Sequence, residues 1–120
     1  MSNKRRAGKI AKGAERALLF AALGDETRLA LVSGLSSGHG RSISQLTGAA
    51  QRTSPGMTRQ GVTKHLRVLE RAGLVRCERL GREKLFALNP QPLKEINSYL
   101  ESVSKQWDET LGRLKLFVEK

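Results

Sequence analysis

Within ten residues the chain sets Thr58, Arg59, Gln60, Thr63, Lys64, His65 and Arg67 around two apolar residues, Val62 and Leu66. On a helix Val62, Leu66 and Leu69 share one face, so the polar set falls on the other. These side chains have the chemistry to read a nucleic-acid duplex. A guanidinium can donate two bonds to guanine O6 and N7, and a Gln amide matches adenine N6 and N7. Thr and Lys hold phosphate oxygens, which fix register without reading sequence. His65 is expected to touch phosphate or groove, because no Ser, Cys or paired carboxylate stands near it in the sequence. A second basic group, Arg79, Arg82 and Lys84, follows within twenty residues. The competing reading of both groups is a solvated charged surface.

The distribution of charge weighs against that reading. The 120 residues carry 22 Lys and Arg against 11 Asp and Glu, a formal charge of +11. Residues 1–13 hold five bases and no acid, and residues 41–84 hold ten bases against three acids. The last 36 residues balance five against five. Two blocks thus carry the whole excess, which predicts a polyanionic partner, nucleic acid before membrane.

Other chemistries lack their residues. There is no nucleophile–base pair, no paired carboxylate and no phosphate-cradling loop, so no catalytic site is expected. One Cys excludes an internal disulfide. Two His, at 39 and 65, and Cys77 cannot build a four-ligand soft metal site within one chain, so neither metal nor other cofactor is expected. Cys77 reads as a small hydrophobe packed beneath a hairpin. No apolar run approaches the length of a membrane helix. A soluble, cytoplasmic protein is expected.

The elements that must position these residues follow from periodicity. Residues 1–13, basic and without apolar period, read as a flexible arm, and residues 14–120 as one domain. A first helix covers 14–23 and ends at Gly24. Asp25 is the expected N-cap of a second helix, which runs through Leu29, Leu31, Val32 and Leu35. Residues 41–43 suit a short strand, and Ser44 an N-cap for a third helix to about Ala50. Gln51–Gly56 reads as a polar break, longer than the usual turn between paired helices. The fourth helix spans 58–72, with Gly73 as its C-terminal stop. Residues 74–88 change to a strand period, and Gly81-Arg82 suits a type II′ hairpin. That turn pairs Leu80 with Glu83, Cys77 with Phe86 and Val75 with Leu88. Val75, Cys77, Phe86 and Leu88 would then pack on the core. After Pro90 and Pro92, a stripe of Leu93, Ile96, Leu100, Val103, Trp107, Leu111, Leu114 and Val118 marks a long amphipathic helix.

Three stretches resemble one family. They are Leu23-Gly-Asp-Glu-Thr-Arg-Leu29, the run from Thr58 to Val75 containing Lys64-His-Leu66 and Ala72-Gly-Leu-Val75, and Arg79-Leu-Gly-Arg-Glu-Lys-Leu-Phe-Ala-Leu88. They are similar to the ArsR/SmtB-type bacterial repressors, over about residues 15–120. The resemblance implies a mainly α (α+β) winged helix-turn-helix with a two-stranded wing and a long C-terminal dimerisation helix. It also implies a homodimer that represses by occupying an operator in double-stranded DNA. Many members sense metals through a Cys cluster near the third helix or Asp and His pairs on the last. Ile43–Ala50 has no Cys and residues 93–120 no His, so those ligand sets are absent. The expected DNA contacts are Thr58, Arg59, Gln60, Thr63, Lys64, His65 and Arg67 on the helix and Arg79, Arg82 and Lys84 on the wing. The expected dimer contacts are Leu18, Ile96, Leu100, Val103, Trp107, Leu111, Leu114 and Val118. A non-specific architectural nucleic-acid protein and a protein-docking winged helix are the alternatives. The sequence names no inducer.

Overall fold

The computed structural model describes residues 2–119, with side chains from residue 13 onward. It forms two compact units, residues 1–90 and 91–120. The elements are α1 (Ser2–Leu23), α2 (Glu26–Leu35), α3 (Ile43–Thr53), α4 (Arg59–Arg71), β1 (Val75–Leu80), β2 (Glu83–Leu88) and α5 (Pro90–Glu119). This is the order expected of a winged helix-turn-helix.

The core of the first unit is aliphatic. Leu31 and Leu35 of α2, Leu46 and Ala50 of α3, and Val62, Leu66 and Leu69 of α4 are buried with Leu74 and Val75. Each fully buried Leu or Val contributes about 1.5–3 kcal/mol relative to its exposed state. The alternation of apolar and polar positions on α4 therefore fixes which face that helix turns outward.

Capping sets where the helices begin. Asp25 caps α2, its carboxylate accepting the backbone N–H of Arg28 at 3.0 Å. Thr58 caps α4, accepting from Gly61 N at 3.0 Å. For α3 the cap is Ser42 rather than Ser44. Ser42 Oγ accepts from Gln45 N, and Gln45 Oε1 accepts from Ser42 N, a reciprocal pair that only the Ser-x-x-Gln spacing offers.

The connection between α3 and α4 is tighter than the polar composition predicted. Helix α3 continues through Gln51, Arg52 and Thr53, residues with no barrier to helix. Pro55 stops it, because the residue before proline is driven to extended backbone. Ser54 stands at φ −131°, ψ 91°. Met57 N donates to Ser54 O at 2.9 Å, closing a short turn. Gln51 Nε2 donates to Met57 O, and Thr27 of α2 bonds Ser54 Oγ at 3.3 Å, so the turn is tied down on both sides.

The hairpin pairs in the expected register, Val75 with Leu88, Cys77 with Phe86 and Leu80 with Glu83. Gly81 has φ 65° and Arg82 has no positive φ, the sign pattern of a type II′ turn. Residues 41–43 form no strand. Arg41 alone makes a two-bond bridge to Phe86, at 2.9 and 2.8 Å. Ser42 is taken for the helix cap, which leaves no length for a third strand.

Two further expectations change. Cys77 is exposed, not packed beneath the wing. The shared face is right, but of the Cys77–Phe86 pair only Phe86 is buried: β2 is bridged to Arg41 at that level, whereas Cys77 lies on the outer strand. Helix α1 begins at Ser2 rather than at residue 14, so its backbone takes in most of the stretch expected as an arm. Ala, Lys and Arg are good helix formers and no Pro interrupts them.

In the second unit, α5 has 30 residues, about 45 Å at 1.5 Å per residue. Ile96 is buried, whereas Leu100, Trp107, Leu111, Leu114 and Val118 are exposed. No described helix is long and apolar enough to cross a membrane.

Candidate nucleic-acid interface

Helix α4 turns Arg59, Gln60, Lys64 and Arg67 to solvent, with Thr63 half-buried beside them. Together these five line one shallow concavity that contains no carboxylate. Among the described residues, none of the cations in it has an ion-pair partner. The five residues expected to share one outer face therefore do share it.

The hydroxyls are more constrained than their types imply. Thr63 Oγ1 donates to Arg59 O at 2.9 Å, so its proton is spent on its own helix. It offers a ligand an acceptor and a methyl group instead. Thr58 Oγ1 accepts from Gly61 N and keeps its proton to give away. Gly61 leaves room for this cap, since a Cβ there would stand 2.7 Å from Met57 Sδ.

His65 lies at the inner edge of the set. Its Nδ1 is 3.2 Å from Arg28 Nη1 and 3.8 Å from Asp25 Oδ2. A guanidinium only donates, so in this hydrogen bond Nδ1 is the acceptor and the ring hydrogen falls on Nε2. The Arg28 guanidinium also donates through Nε to Ala22 O at 2.6 Å and through Nη2 to Ala21 O at 3.4 Å. One side chain thus binds the C-terminal carbonyls of α1, where the helix dipole favours a cation, and His65 of α4. The Arg28 N–H bond to Asp25 is the largest of the effects that lower that carboxylate's pKa, and the Arg28 charge adds to it against partial desolvation. Sequence reasoning gave Arg28 no role. Its only signal was its place three residues after a cap, in a stretch already marked by resemblance.

The wing brings its cations together at the tip. Arg79 stands directly opposite Lys84, and Arg82 occupies the turn. All three are exposed. Like charges facing across a strand pair cost a few tenths to about 1 kcal/mol, a cost that a polyanion bound at the tip would remove. The Arg79–Lys84 pair shares its face with Val75 and Phe86, so one side of the ribbon is core at its base and charge at its end.

The residues expected at a dimer interface divide. Leu18 on α1 is exposed, as are Leu100, Trp107, Leu111, Leu114 and Val118 on α5, and Val103 is half-buried. Ile96 is already covered within one chain. Among the described residues no group of three or more His, Cys, Asp or Glu is arranged to hold a metal ion.

Comparison with known proteins agrees with this geometry. A helix-turn-helix domain family matches residues 23–78. The chain is 38% identical over 79 residues to an uncharacterised HTH-type transcriptional regulator, YuzN, of Bacillus subtilis, covering 65% of this chain and 86% of that protein. Among solved structures, it resembles an ArsR-like transcriptional regulator from Rhodococcus sp. RHA1 with a TM-score of 0.69 at 32% identity, over 89% of this chain and 95% of the other. The fold also matches a homodimeric winged helix-turn-helix DNA-binding domain from Mycobacterium bovis, TM-score 0.63 at 22% identity, over 84% and 88% of the two chains. On the sequence likeness to the Bacillus and Rhodococcus proteins and the fold they share, the chain belongs to the ArsR-like family of winged helix-turn-helix transcriptional regulators.

Proposed function

We propose that this regulator is a homodimeric repressor that binds a specific site in double-stranded DNA. Helix α4 enters the major groove and the wing follows the flanking backbone or minor groove. The observation that carries this reading is the concavity on α4, lined by Arg59, Gln60, Thr63, Lys64 and Arg67 with no acid among them. Arg59 and Gln60 are assigned to base edges, being at the N-terminal end that enters a groove first. Lys64, Arg67, Thr58 and the Nε2–H of His65 are assigned to phosphates, with Arg79, Arg82 and Lys84 on the next stretch of backbone.

A homodimer accounts for the apolar stripe left open on α5. Trp107 is 60% exposed and Leu111 55%, an arrangement that covers no core of its own. A second copy packing on this stripe, with the exposed Leu18 of α1 as a further contact, removes the exposed surface. It also gives two reading helices for two half-sites about one DNA turn apart. The homodimeric state of the Mycobacterium bovis domain supports the same assembly.

The test is fluorescence anisotropy with a duplex from upstream of the protein's own gene and a shuffled duplex of equal composition, across a salt series. A specific repressor is expected to prefer its site by about 10³-fold or more at physiological salt, with two chains per duplex. Equal affinity for both duplexes, and for a genomic fragment pool, would favour a non-specific architectural role. No binding to any duplex would favour a winged helix that docks protein.

A further inference from the structure

A second concavity, of about 350 Å³, lies between the end of α2 and the outer face of α3, away from the residues assigned to the reading helix. Its lining is Gly34, Arg41, Ser44, Gln45, Gly48, Ala49 and Arg52. No carboxylate borders it, and its polar groups offer donors. Arg41 is the best held. Its main chain is bonded to Phe86 in both directions, and its Nε donates to Gly34 O at 3.0 Å. Its Nη groups find no acceptor among the described residues, so a fixed guanidinium has donors left over. The Gln45 carbonyl oxygen is spent on Ser42 N, which leaves its NH₂. Ser44, Gly48 and Arg52 follow at steps of four along one face of α3, and the Ser44 hydroxyl has no partner among the described residues.

The glycines give an independent observation. A glycine inside a helix costs up to about 1 kcal/mol relative to alanine, so it calls for a reason. Of those in α2 to α4, Gly61 makes room for Met57 and the Thr58 cap. Gly34 and Gly48 have no such reason: neither has a positive φ, and a Cβ at either would meet nothing within 4 Å. Both border this concavity, where side chains would fill the space.

We propose that the concavity is an anion site that takes a phosphoryl group, held by the Arg41 and Arg52 guanidiniums with the Ser44 hydroxyl and the Gln45 amide. A tetrahedral oxyanion presents several acceptors to an all-donor lining, and paired guanidiniums are the side chains best matched to it. The phosphoryl group comes either from a small free phosphorylated ligand, which makes this an effector site, or from the DNA backbone. The second source rests on the DNA-binding reading; the first does not.

The test uses the full chain and the variant Gly48→Glu, which puts a carboxylate into the space. Its Cβ meets nothing and glutamate favours helix, so its melting temperature is expected to be unchanged or raised. Arg52→Gln, at an exposed position, serves as the second variant if the first fails to fold. In one arm, inorganic phosphate and then pyrophosphate are titrated at constant ionic strength, following the amide signals of Gly34 and Gly48 and the Nε–H signals of Arg41 and Arg52. A saturable response in the wild type, weakened about tenfold or lost in the variant, establishes a free-anion site. In the other arm, affinity for a duplex bound by the wild type is measured across salt. No response to phosphate, with about tenfold weaker DNA binding and a salt slope reduced by about 0.9 in the variant, assigns the pocket to one backbone phosphate. Absence of both effects overturns the proposal. If the wild type binds no duplex, the phosphate arm alone decides.

Discussion

Replacing Arg28 with alanine tests whether one guanidinium fastens α4 to α1. The side chain makes three bonds, to Ala22 O at 2.6 Å, Ala21 O at 3.4 Å and His65 Nδ1 at 3.2 Å. Ala21 O retains a second partner in Gly24 N, but among the described residues Ala22 O has Arg28 alone. Losing the guanidinium therefore leaves one carbonyl without a protein partner, at a cost of about 1–3 kcal/mol if water does not replace it. The bond to His65 adds about 1 kcal/mol. Arg28→Ala is expected to destabilise by about 2–3 kcal/mol, or about 10 °C in Tm for a chain of this size. His65→Ala removes only the shared bond and should cost about 1 kcal/mol. The double variant should then cost about 1 kcal/mol less than the sum of the singles, because each single already breaks the common bond. Denaturant unfolding at one fixed protein concentration measures the cycle. The nitrogen resonances of His65 supply the second readout, with Nδ1 unprotonated in the wild type and a mixture of tautomers once Arg28 is gone. A coupling below about 0.3 kcal/mol, or a wild-type ring protonated on Nδ1 with Nε2 bare, would refute the bridge.

Three further outcomes are expected. Asp25 has its pKa held below the ordinary 3.8, chiefly by the Arg28 N–H; its contribution is full above the unfolded value and lost as pH falls through the lower folded one. Asp25→Asn should flatten that acid limb in a urea series run below about pH 4, while an unchanged limb would remove Asp25 from the account. Arg59→Ala is expected to cost about 1–3 kcal/mol on the preferred duplex and little on a shuffled one, whereas Arg82→Ala weakens both and lowers the salt slope by about 0.9. Equal losses on both duplexes for Arg59 would move it from base to backbone. On α5, burying the 60% of Trp107 that is exposed is worth about 3 kcal/mol per copy at 25 cal/mol/Å², so Trp107→Glu should shift sedimentation from dimer to monomer. A variant still dimeric at micromolar concentration would place the interface elsewhere.

Much of this fold can be read from the chain because its strongest signals are local. Asp25 caps because a short acidic side chain reaches the N–H three residues on. The wing register follows from Gly81 at the first turn position and from strand alternation. The face of α4 follows from Val62, Leu66 and Leu69. The misplacements have equally local causes. Ser42 and Ser44 are both good caps in isolation; Gln45 stands three residues after Ser42, and the reciprocal bond decides between them. Gln51–Thr53 looked like a break by polarity, yet polarity does not oppose helix, and the helix ends only where Pro55 forces Ser54 into extended backbone. Alternation puts Cys77 on the right face, but it gives a side chain's direction and not what covers it, and of the Cys77–Phe86 pair only Phe86 is buried.

What the sequence does not carry is the spending of hydrogen-bond capacity. Thr63, Thr58 and His65 read alike as polar residues on an outer face. In the structure Thr63 has given its proton to Arg59 O, Thr58 has kept its own, and His65 Nδ1 is taken up by the guanidinium of Arg28, 37 residues earlier. Only the last depends on a residue distant in the chain, and it is the one that periodicity cannot supply. The same accounting separates the two basic concavities. Arg59 and Arg67 stand exposed on a helix that can enter a groove, whereas Arg41 is held by three bonds before any ligand arrives. A held guanidinium loses little freedom on binding and suits one fixed anion. An exposed set on a rigid helix suits a surface whose contacts vary from site to site. Charge totals and helix faces locate both clusters, but the bonds already made determine what each has left to offer.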